Sequence, residues 1–154
     1  MGTEGLNLDQ KVVVKNIANW IVGFARIDGM GDISIPANGT VRLTRNEIIS
    51  QVQNGNKLFT GTDGVGSHST LYVMDEPTRK ELEFDTEETT QNVYTDDKMK
   101  SLFDIRTLSK FKNEFKKEIV TRAEKCAAVN AIQTLKLNNY DKIQFVLDYT
   151  GYKL

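Results

Sequence analysis

The chain has one cysteine, one histidine and two prolines among its 154 residues, and no long apolar run. A lone Cys126 excludes an internal disulfide, and the usual zinc frameworks need more cysteine and histidine than this. Cys126 lies in the alanine-rich run EKCAAVNA, where a free cysteine is expected to behave as a small buried apolar residue. No stretch approaches the roughly 18 apolar residues that a membrane-spanning helix requires. The opening MGTEGLNLDQ has neither a basic region nor an apolar core, so it does not read as a secretory signal. Leu6 stands where a myristoylation signal wants Ser or Thr. A net charge of −1 argues against a bulk attraction to nucleic acid or anionic membrane. What remains is an ordinary soluble composition, in a chain long enough to bury a core without a disulfide or a metal.

Read in order, residues 1–10 are polar and suggest an extended N-terminal arm. KVVVKNI (11–17) is a strand, because consecutive β-branched residues favour a pleated surface. WIVGFARI (20–27) is apolar on both alternating faces and is expected to be a strand buried on both sides. Asp28-Gly29 marks a turn. DISIP (32–36) alternates, with Ile33 and Ile35 on one face, and Pro36 confines it to a strand end or edge. Asn38-Gly39 between DISIP and TVRL predicts a tight hairpin. Thr40 completes a glycosylation sequon there, which without a secretion signal reads as a turn. Thr44 to Glu47 has the pattern of a capping box, and Ile48, Ile49 and Val52 follow at helical spacing, with Gly55 as the stop. KLFTG, STLYVMD and RKELEF (79–84) are expected to be strands. DTEETTQNVYTDD (85–97) carries five acidic residues and no basic one, and reads as a linker or exposed loop.

Beyond it the periodicity is helical. Thr95 or Asp96 caps a short helix, and Leu108, Phe111, Phe115 and Ile119 form an apolar stripe. Thr121 to Glu124 is a second capping-box pattern. Asn138 or Asn139 opens a last helix that Gly151 stops. The predicted class is α+β: a small β-rich N-terminal sheet or barrel-like part with one short crossing helix, then a helical subdomain of two to four helices. The expected divisions are an arm at 1–10, a β-rich domain at 11–85, an acidic linker at 86–97 and a helical subdomain at 98–154.

The densest local signal is GTDGVGSH. Three glycines within six residues mean that the backbone needs conformations side chains forbid, or must come close to something. A P-loop needs a lysine and a following helix, and a dinucleotide fingerprint also needs the helix; neither follows here. A calcium loop needs alternating oxygen ligands, and the segment offers Asp63 alone. His68 has no companion ligand, and Ser67 and Ser69 beside it lie in no nucleophile elbow. The segment therefore reads as a shaped contact loop, with Gly61, Thr62, Asp63, Gly64, Gly66 and His68 as the candidate protein-contact residues. No catalytic, cofactor-binding or metal-binding set is expected.

Residues 98–125 hold nine Lys or Arg against four Asp or Glu. Nucleic acid could use such a face, but Phe111 and Phe115 lie on its apolar stripe and no aromatic is interleaved with the exposed lysines. A solvated helix face is the expectation, with nucleic acid disfavoured as a partner.

The segment GDISIPANGTVRLTRNEIISQVQNGNKLFTGTDGVGSHSTLYVMDE resembles small proteins encoded among the structural genes of tailed bacteriophages. The resemblance rests on the IPANG turn, LTRNEI, QNGNKLFTGTDG and the H-x-x-LY-V-x-D strand, and covers residues 11–85; the helical run is similar more loosely. It implies a non-enzymatic virion structural protein, a capsid-associated accessory or decoration protein bound to the head shell. Partners would then be phage structural proteins such as the major capsid protein, and the protein itself. A tail or connector component, or a nucleic-acid-binding regulatory protein using the basic helices, is the alternative.

Overall fold

The computed structural model of the chain describes residues 6–154. Alternation in KVVVKN makes β1 (Lys11–Asn16) the centre of a three-stranded antiparallel sheet, between β4 (Thr40–Thr44) and β5 (Leu71–Val73). Val14 faces Val41 on one side and Val73 on the other. The period of two turns Val12, Val14 and Asn16 into the core. Asn16 is fully buried, and every part of its amide is used. Its Nδ2 donates to the carbonyls of Trp20 (2.8 Å), Ile35 (3.3 Å) and Pro36 (3.1 Å), and its Oδ1 accepts from the Ala18 amide (2.9 Å).

β2 (Val22–Ala25) and β3 (Asp32–Ile35) form a separate two-stranded sheet, with Val22 opposite Ile35. Two expectations fail here. The second strand is buried on one side only: Val22 is in the core, whereas Ile21 is 69% and Ile27 43% exposed. A two-stranded ribbon has only one face to offer a core. The predicted hairpin at Asn38-Gly39 is also absent, since β3 pairs with β2 and β4 with β1. The turn itself is present, with Asn38 at φ 55° and the Gly39 amide on Pro36 O at 2.9 Å. Its amide and carbonyl groups bond to the end of β1, Asn38 N to Ala18 O and Asn16 N to Gly39 O, both 2.9 Å. The turn thus hands the chain from one sheet to the other.

α1 (Arg45–Gln53) starts at Thr44, whose hydroxyl accepts the Glu47 amide at 3.1 Å. Glu47 does not complete the box. Its carboxylate accepts from the amides of Ile27 and Asp28 and from Gln51 Nε2, bonding the β2–β3 turn to the helix. Residues 7–10 fold back on the same helix end: Leu8 O and Gln10 O accept the amides of Asn46 and Arg45 at 3.0 Å. They supply acceptors for first-turn N–H groups that a helix cannot satisfy itself. The expected extended arm is therefore a docked turn over residues 7–10, and its first five residues lie outside those described.

KLFTG and RKELEF are helical where strands were expected. α2 (Lys57–Thr60) is capped by Asn56, and buries Phe59 edge-on against Phe24 at 5.6 Å. α3 (Glu76–Glu81) is capped by Asp75 and has Pro77 in its first turn. Among the described residues the N-terminal part thus has three helices rather than one crossing helix, and two small sheets rather than one sheet or barrel. Within 85–97, Thr86 to Thr90 are exposed, but Asp85, Gln91, Val93 and Tyr94 are buried, so the segment is not a solvated linker throughout.

The chain divides into two units, Met1–Val93 and Tyr94–Leu154. The second comprises four helices: α4 (Asp96–Phe103), α5 (Leu108–Glu118), α6 (Arg122–Thr134) and α7 (Tyr140–Thr150). The class is α+β. Thr95 caps α4, Thr121 and Glu124 form a complete capping box on α6, and Asn139 caps α7, which Gly151 ends in a left-handed turn. Phe111, Phe115 and Ile119 are fully buried as their stripe predicts, whereas Leu108 reaches the surface. Cys126 is only half-buried, short of the core position expected for it. Lys142 is buried as well, and its ammonium donates to the Phe103 and Ile105 carbonyls at the end of α4. No helix among the described residues is long and apolar enough to cross a membrane.

Candidate functional site

The glycine loop leaves α2 at Gly61 and returns at Ser67. Gly61 has φ 69°, and a Cβ there would fall 2.0 Å from Ser67 O. The close approach lets Thr62 N reach Ser67 O (2.9 Å) while Gly66 N reaches Thr60 O (2.8 Å). Asp63 then closes the loop from inside. Its Oδ1 accepts the amides of Val65 (2.9 Å) and Ser67 (3.2 Å), and its Oδ2 accepts the Ser67 hydroxyl (2.6 Å). Desolvation in the loop opposes its charge, but the Ser67 hydroxyl and the two amides outweigh this and hold the carboxyl below the usual Asp value. Gly64 (φ 84°) faces open space at the tip, beside Val65, which is 45% exposed.

Behind the tip the loop rests on residues 84–92. Gly66 is buried, and a Cβ there would lie 2.4 Å from Gln91 Nε2 and 3.0 Å from the Phe84 ring. Gln91 Nε2 donates to Gly66 O (2.9 Å) and Ser69 Oγ (3.2 Å). The Gln91 amide donates to Asp85 Oδ1 (2.8 Å), and Asp85 is paired with Arg79 at 3.0 Å. Arg79 donates in turn to Val73 O on β5, and its guanidinium lies 5.2 Å from the Tyr72 ring. His68 has a left-handed backbone (φ 57°), and its amide donates to Asn92 O at 2.8 Å. The residue as a whole is half-buried.

The six candidate residues therefore lie on one continuous loop but do different things. Gly61 and Gly66 permit the close approaches, Thr62 and Asp63 lock the loop, Gly64 shapes the tip, and His68 anchors the exit. The residues that hold the loop from behind were not legible, because Asp85 and Gln91 come from a stretch that reads as solvated and Arg79 and Phe84 from one that reads as a strand.

The loop forms one wall of an open cleft of about 1330 Å³. Asp63, Val65 and Ser67 line it on one side, α3 and residues 83–92 on the others. Five carboxylates besides Asp85 face it (Asp63, Glu76, Glu81, Glu83 and Glu87), with Lys80 as the lysine on its lining. Lys80 is paired with Glu76 at 2.8 Å on the surface of α3. Among the described residues, no three His, Cys, Asp or Glu side chains are grouped so as to hold a metal ion.

This geometry limits the chemistry. A phosphate cradle needs free backbone amides, and here the loop's own Asp63 occupies those of Val65 and Ser67. Both Asp63 oxygens are likewise engaged, so the carboxylate is spent on holding the loop's shape. No family model, curated protein or solved structure matches the chain.

Proposed function

We propose that this chain is a non-enzymatic structural protein of a tailed-phage virion, an accessory or decoration protein that binds the head shell. The loop at 61–68 is its contact surface. The observation that carries the reading is a loop whose Asp63 carboxylate is consumed in holding its shape, with Gly64 and Val65 left exposed at the tip. A preformed surface loses little conformational entropy on docking, which suits a subunit that must bind many identical positions. The resemblance of residues 11–85 to small proteins of phage structural gene clusters supports the same reading. The proposed partners are the major capsid protein and neighbouring copies, and the proposed location is the virion.

The test uses substitutions that leave the loop's frame intact. Val65→Asp and Val65→Lys change only the tip. Both variants should be produced folded, yet be depleted from purified particles at least tenfold by quantitative mass spectrometry. Particles that lack the wild-type protein, or that incorporate both variants normally, would overturn the assignment. A copy number of a dozen or fewer per particle would move the protein to the connector or tail.

A further inference from the structure

The helical unit brings together what its sequence keeps apart. Phe145 and Tyr149 lie one turn apart on α7 and stack nearly parallel, with centroids 5.8 Å apart and an interplanar angle of 9°. Fixed points hold them from beneath. Phe145 meets the buried rings of Phe111 and Phe115 edge-on, each at 5.9 Å, and the Tyr149 hydroxyl donates to Ile119 O at 2.9 Å. Both residues are half-buried and reach the surface. Around them stand three lysines from two other helices. Lys112 and Lys116 of α5 place their ammonium groups 5.7 and 5.9 Å from the Phe145 centroid, and Lys125 of α6 lies 5.0 Å from that of Tyr149.

These lysines differ from the cations held in ion pairs. Arg45, Arg79, Lys80 and Lys98 each face a carboxylate within 3.2 Å. Lys112, Lys116 and Lys125 form no ion pair among the described residues and are steered by ring faces instead. Lys117, exposed on α5, extends the positive face. On α7 itself, Asp148 is engaged by Gln144 Nε2 at 3.1 Å. The unit carries twelve Lys or Arg against eight Asp or Glu, while residues 1–93 carry eight against thirteen, so a net charge near zero conceals a positive half. At physiological salt, screening over about 8 Å lets the local patch and not the total charge govern a contact.

We propose that this face binds single-stranded nucleic acid, with Lys112, Lys116 and Lys125 on the phosphates and the Phe145–Tyr149 pair as the platform for unpaired bases. Charge complementarity selects a polyanion. The aromatic pair selects one with planar bases, since a stacked base uses a ring face that an acidic peptide leaves idle. A duplex keeps its bases stacked internally and would meet the lysines alone. The inference is independent of the loop in the other unit and of the head-shell reading.

The test is fluorescence anisotropy of a labelled 20-nucleotide oligo-dT with the full chain, alongside a duplex of equal length and poly-aspartate. Three phosphate contacts predict that binding weakens about fifteenfold or more between 50 and 200 mM salt, a log–log slope near 2. The triple variant K112Q/K116Q/K125Q should lose at least tenfold in affinity at 50 mM. Phe145→Leu should weaken oligo-dT binding several-fold and leave any poly-aspartate binding unchanged. Amide shift mapping of the wild-type protein with oligo-dT provides a readout that needs no variant, and the shifts should cluster on α5, α6 and α7. No binding at 50 mM salt would overturn the proposal, as would shifts centred elsewhere. Poly-aspartate or duplex bound as tightly as oligo-dT, with no effect of Phe145→Leu, would overturn it in favour of a purely electrostatic acidic partner.

Discussion

A carboxylate that is 1% exposed and faces no cation must be compensated by N–H groups, and Glu47 is compensated by three. Two are the amides of Ile27 and Asp28 in the β2–β3 turn, so the side chain ties the small sheet to α1. Removing it unties that turn from α1 and takes an acceptor from the buried Gln51 amide, which costs more than a lost cap. Glu47→Ala should therefore destabilise the protein by about 2–4 kcal/mol, whereas Thr44→Ala, which removes only the cap, should cost about 1 kcal/mol. Urea unfolding followed by circular dichroism measures both, and equal losses would mean that the turn amides find water instead. Asn16 does similar work between β1 and the end of β3, and Arg45 joins α1 to Asp75 and Thr78 of α3. In each case one buried polar side chain connects elements that are distant in sequence.

Among the elements, the glycine loop contains glycines of two kinds. Gly61 has a left-handed φ and no room, because the Ser67 carbonyl occupies the place of a Cβ. Gly64 has a similar φ but open space around it. Gly64→Ala should thus cost only the backbone strain of about 1–2 kcal/mol. Gly61→Ala adds a clash with main chain that cannot rotate away, and should cost about 3 kcal/mol or more while dissolving the Thr62–Ser67 contact. Thermal melts of the two variants give the ranking, and a reversed order would contradict the loop geometry. Helix starts follow a simpler rule. Thr44, Asn56, Asp75, Thr95, Thr121 and Asn139 each accept an amide of their helix's first turn, whatever lies downstream.

At the scale of the whole molecule, acidity acts on the N-terminal unit through Asp63 and Asp75. Asp75 is opposed by desolvation but held below the usual Asp value by the Thr78 hydroxyl, the Arg45 guanidinium and the Thr78 amide. A carboxyl whose native pKa is depressed contributes stability above its unfolded value and loses it as pH falls through the native one. The contribution is thus complete above about pH 5 and lost progressively below it. Melts recorded from pH 7 to pH 3 should show wild type falling towards Asp75→Asn, with the gap between them widest at neutral pH and narrowing in acid. A gap that stays constant across the range would show that Asp75 acts by packing and not by charge. In the helical unit Tyr94 is displaced the other way. Burial first, then the neighbouring Asp96 carboxylate, pushes its hydroxyl up, so it stays protonated throughout this range.

Local chemistry alone determined the helical half and the short elements that cap themselves. Stripes such as Phe111, Phe115 and Ile119, caps such as Thr121 with Glu124, and the Gly151 stop act between residues a few positions apart, and so are legible in order along the chain. Asp75 and Pro77 hold the same kind of local signal for α3, but the reading of STLYVMD and RKELEF as strands passed over it. Strand partnership was not legible, because the turn at Asn38 is compatible with a hairpin and only bonds to Ala18 and Asn16 commit it to a crossover. The backing of the glycine loop by Gln91, Asp85 and Arg79 was hidden for the same reason, since polar residues that find buried partners look like solvated ones until the fold supplies those partners. The aromatic pair at Phe145 and Tyr149 reads as one edge of an apolar helix. Only packing of α7 against α5 and α6 places it among lysines that precede it by 20 or more positions.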